Sequence, residues 1–209
     1  YAEAEELQAQ LVSQRKADQI SDQLLLLQHP PVITVGRGAS LEHLKATRQQ
    51  LDGLQIEFHR CGRGGEITYH GPGQLVIYPI LRLEEGRRDL HRYLRDLEQV
   101  VIDTCQDLDV EVQRSQGRTG IWFQERKLAS IGVRASSWVT SHGIGLNYSP
   151  EALSGFDWIV PCGLQGVEMI SLTQIMGRTL ARNELEEVLC RNFAKIFARR
   201  LINPEKTLS

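Results

Sequence analysis

The chain has 209 residues, of which 41% are hydrophobic and 24% are charged. This balance is typical of a globular domain and argues against intrinsic disorder. The net charge of −2 gives no electrostatic case for a nucleic-acid or membrane-surface partner. The longest aliphatic run, at positions 24–27, is far shorter than the ~20 residues that a membrane span requires.

Hydrophobic periodicity predicts helices at both ends of the chain and strands between them. The long predicted helices cover 1–19, 90–108 and 183–201, with short ones over 150–155 and 172–176 and a helical or irregular segment over 41–51. Predicted strands cover 24–28, 32–35, 55–60, 74–81, 109–114, 119–124, 127–135 and 138–148. A turn at His29-Pro30-Pro31 separates the first two strands. This order predicts a single α+β domain over 1–209.

A glycine-rich segment precedes the strand at 74–81. Five glycines fall between positions 62 and 73, among the polar residues Arg63, Thr68, Tyr69 and His70. Glycine permits positive φ and the close approach of a ligand to the backbone, so the segment is either a binding loop or a hairpin connection. Its spacing matches neither the Walker nor the Rossmann pattern, so a nucleotide phosphate is not the leading ligand.

The four cysteines lie too far apart in sequence for a CxxC metal or redox pair. Scattered cysteines without a signal peptide indicate reduced thiols and a cytoplasmic protein. Cys105 and Cys190 fall on predicted helices and are expected to be buried, and Cys61 is expected to be structural or to line a site. Cys162 lies between a proline and a glycine, which can present its sulfur at a sharp corner.

Two further predicted strands carry unusual residues. A single lysine such as Lys127 on a strand is usually a solvated edge residue. Gly143 and Gly145 lie inside the strand at 138–148. Glycines in a strand interior often mark a bulge or a site where another chain or a ligand comes close.

Four motifs, in order along the chain, resemble one family. The segment 63–79, RGGEITYHGPGQLVIYP, resembles the signature of the octanoyltransferases of lipoate biosynthesis. Lys127 with the following LASIG resembles the lysine motif of that family, and HGIGLN at 142–147 resembles its HGxxLN strand. The PCG at 161–163 resembles its active-site cysteine motif. Gly145 stands where alanine is more usual in that family, and we expect this difference to affect only the local shape of the pocket.

The resemblance implies a biotin/lipoate-protein-ligase-like fold with a mixed, mostly antiparallel central sheet flanked by helices. It implies transfer of an octanoyl group from octanoyl-acyl carrier protein to a lysine of a lipoyl domain, with no cofactor and no metal. The implied acceptors are the lipoyl domains of 2-oxoacid dehydrogenase E2 subunits and the glycine cleavage H protein.

The resemblance also places a thioester acyl-enzyme on Cys162, with Lys127 as its partner. A thiolate is the nucleophile in such chemistry, and a neighbouring ammonium favours the thiolate. Once the sulfur is acylated, a neutral Lys127 could accept a proton from the incoming amine. The two side chains are therefore expected to lie in contact, although they are far apart in sequence.

The remaining motif residues are implied to line an acyl pocket. An eight-carbon chain offers apolar surface, at about 0.8 kcal/mol per buried CH₂, so we expect a narrow slot. His142, like His70, is expected to position the substrate or assist proton movement. The predicted pocket residues are Arg63, Gly64, Gly65, Glu66, Ile67, Thr68, Tyr69, His70, Ser130, Ile131, Gly132, Gly143, Ile144 and Gly145.

Three alternatives remain open at this point. An ATP-dependent lipoate–protein ligase of the same fold would not need Cys162, a thioesterase would hydrolyse the same acyl-enzyme, and a silent module would only bind the carrier protein. Docking of an acidic carrier protein would need a local basic patch. The candidates, which would otherwise form a solvated helix face, are Arg82, Arg87, Arg88, Arg92 and Arg95.

Overall fold

The computed structural model describes residues 1–202, which form five helices, nine strands and several 3₁₀ turns. The helices are α1 (Ala2–Lys16), α2 (Arg48–Gly53), α3 (Leu90–Gln106), α4 (Leu172–Met176) and α5 (Arg182–Phe197). The strands are β1 (Gln23–Leu27), β2 (Val32–Val35), β3 (Glu57–Arg60), β4 (Ile67–His70), β5 (Gln74–Ile80), β6 (Gln113–Ser115), β7 (Arg118–Phe123), β8 (Arg126–Ser136) and β9 (Val139–Asn147).

The strands form two sheets. The large sheet has the order β1-β5-β9-β8-β7-β6, and each of its pairings is antiparallel. The small sheet has the order β3-β2-β4, in which β2 runs parallel to β3 and antiparallel to β4. The predicted mixed, mostly antiparallel arrangement is confirmed, but its parallel pair lies in the small sheet rather than in the central one.

Helices α3 and α5 cover one face of the large sheet and form the main core. Leu97 and Val100 on α3 are fully buried, as is Phe193 on α5. Asp89 begins α3 by accepting hydrogen bonds from two backbone N–H groups of its first turn, as preferred N-cap residues do. The apolar stripe that predicted α3 from the sequence therefore faces this core.

A second, smaller core lies under the small sheet. Ile33 of β2, Ile67 of β4 and Leu51 of α2 are buried there against Phe156 and Ile159. Since side chains alternate along a strand, the opposite faces of β2 and β4 point away from this core. Thr68 and His70 on that face of β4, together with β8 and β9 of the large sheet, line a cleft.

Most predicted elements are confirmed. The strands predicted at 24–28, 32–35, 74–81, 119–124, 127–135 and 138–148 agree to within one residue at each end, and the one at 55–60 to within two. The helix at 172–176 agrees, and the one at 90–108 ends two residues early, at Gln106. The helix at 1–19 ends at Lys16, the segment 41–51 divides into a 3₁₀ turn and α2, and 150–155 is a 3₁₀ turn over Pro150–Leu153.

Other predictions were wrong. The strand predicted at 109–114 is observed only over Gln113–Ser115, because Asp109 adopts φ +59° just after the end of α3. Helix α5 ends at Phe197 rather than at the predicted position 201, because the next residue, Ala198, adopts φ +50°. Strand β4 was not predicted, because glycines surround it. The extension of the domain to 209 involves 203–209, which lie outside the described residues.

Among the described residues, no helix combines the length and the apolar character that crossing a membrane requires.

Truncation of the main core tests this packing. Leu97 is fully buried on α3, so Leu97→Ala should lower the free energy of unfolding by about 2–5 kcal/mol in urea denaturation. Leu7, which is 43% exposed on α1, provides the matched control, and Leu7→Ala should change it by less than about 0.5 kcal/mol. Equal effects of the two substitutions would contradict the assignment of the core.

Candidate active site

A cleft of about 540 Å³ opens between the two sheets. Its upper side is formed by the segment that carries the first sequence motif, and its floor by β8 and β9. Lys127, Cys162 and His142 line it, as do all but one of the predicted pocket residues. Those are Arg63, Gly64, Gly65, Glu66, Ile67, Thr68, His70, Ser130, Ile131, Gly132, Gly143, Ile144 and Gly145.

Lys127 and Cys162 are in direct contact. The Nζ of Lys127 donates a hydrogen bond to the Sγ of Cys162 over 2.9 Å. Lys127 is only 2% exposed, so the solvated-edge interpretation of this lysine is wrong. Its Nζ also lies 5.4 Å from the ring centre of Trp122, within the distance of a cation–π contact.

Glycine at position 120 makes room for the lysine side chain. Gly120 has φ +123°, and a Cβ there would lie 2.5 Å from the carbonyl oxygen of Ala129 and 2.7 Å from the Cε of Lys127. Its N–H donates to the Oε1 of Glu98, a buried carboxylate that also accepts from Arg95 and Arg114. Glu98 therefore holds the strand that borders Lys127 against α3.

The Cys162 sulfur lies at a backbone corner. Cys162 adopts φ +56° and ψ +20° within the 3₁₀ turn Pro161–Gly163, a left-handed conformation that is uncommon for residues other than glycine. The N–H groups of Gly163 and Leu164 donate to carbonyl oxygens within this turn, at 3.1 and 3.0 Å. Those two N–H groups therefore stabilise the turn that carries the sulfur. The predicted sharp presentation of the sulfur is confirmed.

His43 and Glu66 support this corner from the side. The Nδ1 of His43 and the Oε2 of Glu66 are 3.0 Å apart, and the carbonyl oxygen of His43 accepts from the N–H of Val160 at 2.7 Å. A Cβ at Gly163 would lie 2.7 Å from the His43 ring. Glu66 thus acts on the site through His43, which sequence reasoning missed because no motif marks it.

The glycine-rich segment packs directly on the floor of the cleft. The N–H of Gly64 donates to the carbonyl oxygen of Val133 at 2.9 Å, and a Cβ at Gly132 would lie 2.9 Å from the oxygen of Gly64. The guanidinium of Arg63 donates to both the carbonyl oxygen and the hydroxyl of Thr34. These contacts fix the segment between β2 and β8, where it forms one wall of the cleft.

Neutral histidines form another part of the wall. Burial, together with the nearby Arg63 guanidinium, lowers the pKa of His70 to about 3. Burial lowers the pKa of His142 to about 4, although Glu5 opposes this shift. Burial also lowers the pKa of His29 to about 4, and this ring is hydrogen-bonded to the hydroxyl of Tyr78. Near neutral pH these three rings therefore carry no charge, and those of His70 and His142 line the cleft.

Tyr69 is the one predicted pocket residue that does not line the cleft. Its ring is 1% exposed, belongs to the small core and stacks edge-on against Phe156. Gly71 and Gly155 make room for it, since a Cβ at either would lie 2.1–2.2 Å from the ring or its hydroxyl. Along β4, Tyr69 points to the face opposite that of Thr68 and His70, as strand alternation requires.

Several residues that line the cleft were not predicted. Many come from the chain start, from the β7 region and from the first turns of α3, which no sequence motif connects to the site, whereas Tyr78 lies within the first motif and Val133 and Leu164 lie beside others. A signal did exist for Gly120, because an isolated glycine in a strand indicates close approach. The additional lining residues are Tyr1, Arg37, Tyr78, Leu90, His91, Leu94, Gly117, Arg118, Thr119, Val133 and Leu164.

The cysteines and the potential metal-ligating side chains form neither a disulfide nor a metal site in the described part of the chain. All four cysteines are free, and Cys105 is buried, which raises the pKa of its thiol to about 12. Within residues 1–202, no group of three histidine, cysteine or carboxylate side chains is arranged to hold a metal ion.

This geometry agrees with the comparisons to known proteins. Residues 1–194 match the model of the lipoyl protein ligase A/B catalytic domain. An octanoyltransferase of Solibacter usitatus is 48% identical over 94% of this chain and 88% of its own length. An octanoyltransferase of Nostoc sp. is 44% identical over 97% and 90%. The chain therefore belongs to the lipoyl protein ligase A/B family, and within it to the acyltransferases of the lipoyl(octanoyl) transferase type.

The solved structures define the fold. A putative lipoate protein ligase from T. acidophilum with bound lipoic acid superposes with a TM-score of 0.74, at 12% identity, over 96% of this chain and 86% of that one. The predicted ligase-like fold is confirmed. The curated octanoyltransferase relatives favour acyl transfer over the ATP-dependent and catalytically silent alternatives.

Crowding at Gly120 tests the placement of Lys127. Gly120→Ala should displace the lysine side chain and reduce the rate of octanoyl transfer by about 100-fold, since a misplacement of about 1 Å has that effect on catalytic groups. Gly177→Ala is the control, because Gly177 also has positive φ but a Cβ there would meet nothing within 4 Å. The transfer rate is measured on protein that circular dichroism shows to be folded. Folded Gly120→Ala protein with the wild-type rate would contradict this role.

Proposed function

We propose that this protein transfers an octanoyl group from octanoyl-acyl carrier protein to a specific lysine of a lipoyl domain, through a thioester on Cys162. The observation that carries the proposal is the 2.9 Å contact between the Lys127 ammonium nitrogen and the Cys162 sulfur. A buried lysine in contact with a partly exposed cysteine, in a cleft that can hold an acyl chain, matches the pattern of an activated nucleophile with an acid–base partner.

In the first step, the Cys162 thiolate attacks the carbonyl carbon of the carrier-bound thioester. The tetrahedral adduct collapses, the bond to the pantetheine sulfur breaks, and the Lys127 ammonium protonates that departing sulfur. The products are the Cys162 thioester, the free carrier thiol and a neutral Lys127.

In the second step, the amine of the acceptor lysine attacks the Cys162 thioester. An amide bond forms, the Cys162 thiolate leaves, and the proton lost by the amine passes to Lys127. The thiolate and the ammonium are thereby restored without ATP, because an amide is more stable than a thioester. The acceptors we infer are lipoyl domains of 2-oxoacid dehydrogenase E2 subunits and the glycine cleavage H protein.

A thioesterase would use the same acyl-enzyme with water as the acceptor. We favour amine transfer because Lys127 is only 2% exposed and the sulfur is only partly exposed, so the dyad is shielded from bulk water. The free Cys162 thiol must stay reduced to act, which fits a reducing cytoplasm.

Mass spectrometry tests the acyl-enzyme. After incubation with octanoyl-acyl carrier protein, the intact mass should rise by about 126 Da, the mass of an octanoyl group replacing a proton, and peptide mapping should place the group on Cys162. Cys162→Ser should show no such thioester, whereas Cys61→Ser should still be acylated. An octanoyl group on another residue, or none on any, would refute the proposal.

The carrier protein docks, in this proposal, beside the first turn of α3. Arg87, Arg88 and Arg92 are exposed there, and none has a carboxylate within 4 Å in the part of the chain that is described. Leu90 and His91 on the same turn line the cleft. The remaining candidates are engaged elsewhere, since Arg82 binds Asp18 and the end of α1, and Arg95 binds Glu98.

Charge reversal tests this docking surface. Arg88→Glu combined with Arg92→Glu should raise the KM for octanoyl-acyl carrier protein about tenfold, and more at low ionic strength, because the attraction to an acidic partner is screened by salt. The KM for a small octanoyl thioester should not change. Arg60→Glu, an exposed change on β3, is the control. An equal rise in KM for both substrates would contradict docking at this turn.

A further inference from the structure

Three buried polar side chains form a chain that ends at the cleft. Asn147 at the end of β9 is 0% exposed, Gln74 at the start of β5 is 1% exposed, and His70 at the end of β4 is 7% exposed. Gln74 contacts both of the others: its Nε2 is 2.9 Å from the Oδ1 of Asn147, and its Oε1 is 2.6 Å from the Nδ1 of His70.

Backbone carbonyl groups fix the orientation of both amides. The Nδ2 of Asn147 donates to the carbonyl oxygen of Ile170 at 3.3 Å, so the Oδ1 of Asn147 faces Gln74 as an acceptor. The Nε2 of Gln74 donates to that Oδ1 and to the carbonyl oxygen of Tyr69 at 3.2 Å. The Oε1 of Gln74 therefore faces His70 and can only accept, so the Nδ1 of His70 must carry a proton.

The other ring nitrogen of His70 is open to the cleft. Its Nε2 has no hydrogen-bond partner in residues 1–202 and is not sealed inside the protein. Burial and the Arg63 guanidinium keep the ring neutral by lowering its pKa to about 3. A neutral imidazole with a proton on Nδ1 has an unprotonated Nε2, which accepts hydrogen bonds.

We propose that Asn147 and Gln74 are positioning residues that hold His70 as the Nδ1–H tautomer, so that its Nε2 accepts a hydrogen bond from an N–H group of the substrate. The inference rests on the proposed function, because that function supplies such groups. They are the amide N–H groups of the pantetheine arm and the amine of the acceptor lysine.

Acceptors of this kind are scarce among the charged groups of the cleft. Lys127, Arg63, Arg37 and Arg118 line it, and these cations only donate. The lining carboxylate, Glu66, accepts from both His43 and the backbone N–H of Ser40 through its Oε2. The Nε2 of His70 adds a second kind of acceptor for a substrate N–H, one whose unprotonated form is fixed by hydrogen bonds within the protein.

The tautomer can be read directly on the wild-type protein. A long-range ¹H–¹⁵N correlation spectrum of ¹⁵N-histidine-labelled protein, assigned with a His70→Asn sample, should show a protonated Nδ1 and an unprotonated Nε2 for His70 from pH 6 to pH 8. Gln74→Leu should lose this fixed tautomer. Asn192→Leu, which removes a buried amide on α5 that bonds Asp107, should keep it.

Single-turnover kinetics tests the role of the acceptor. His70→Asn, which retains a donor near the Nδ1 position but lacks the acceptor, should slow transfer about tenfold, as expected for a lost hydrogen bond. His70→Gln, whose amide oxygen can reach the Nε2 position, should recover part of that loss. A defect in acylation of Cys162 would assign the bond to the pantetheine arm, and a defect in transfer from acylated Cys162 would assign it to the acceptor amine.

Two results would overturn the inference: a wild-type spectrum with the proton on Nε2 of His70, or wild-type rates for folded Gln74→Leu and His70→Asn. The spectrum does not depend on the reaction. Absence of an acyl group on Cys162 would therefore refute the proposed function and leave the tautomer assignment standing, whereas a wrong tautomer with normal acylation would refute only this inference.

Discussion

The contact between the Lys127 ammonium and the Cys162 sulfur is the constraint on which the rest of the site depends. A lysine that is only 2% exposed would be costly without partners, and here the sulfur and the Trp122 ring supply them. Each side of the contact is held separately. Gly120 and Glu98 shape the lysine side, while His43 and Glu66 support the cysteine turn. The packing on both sides thus holds the two reacting groups in contact.

The cleft exists because glycines let two layers of backbone approach closely. A side chain at Gly132 would collide with the oxygen of Gly64, and one at Gly145 would lie 2.8 Å from the amide of Gln74. The absence of these side chains leaves a slot above the large sheet, which suits an extended acyl chain. The same close packing places Gln74 between Asn147 and His70. The buried amides therefore orient the His70 ring, which lines the cleft.

Much of this could be predicted from the sequence. The residues within α3 and β5 suffice to predict these elements, because their hydrophobic patterns are long and regular. The motifs around Lys127 and Cys162 can likewise be recognised from a few neighbouring residues. The Lys127–Cys162 contact could not follow from periodicity, and it was expected only because four motifs resembled a family. The sequence did not reveal that Tyr69 points into the small core. The glycines around β4 mask its strand character, and without a strand there is no alternation of faces to predict. The sequence also did not reveal His43 or α3 in the site, since tertiary packing alone brings them there.

A chase experiment tests the central claim most directly. Protein acylated with radiolabelled octanoyl thioester is freed of donor by gel filtration, mixed with lipoyl domain and quenched at intervals. The account predicts that label leaves Cys162 and appears as an amide on the acceptor lysine at the same rate, without ATP, and at least as fast as overall turnover. Label that remains on Cys162 after the lipoyl domain is added, or label released only as free octanoate, would contradict it.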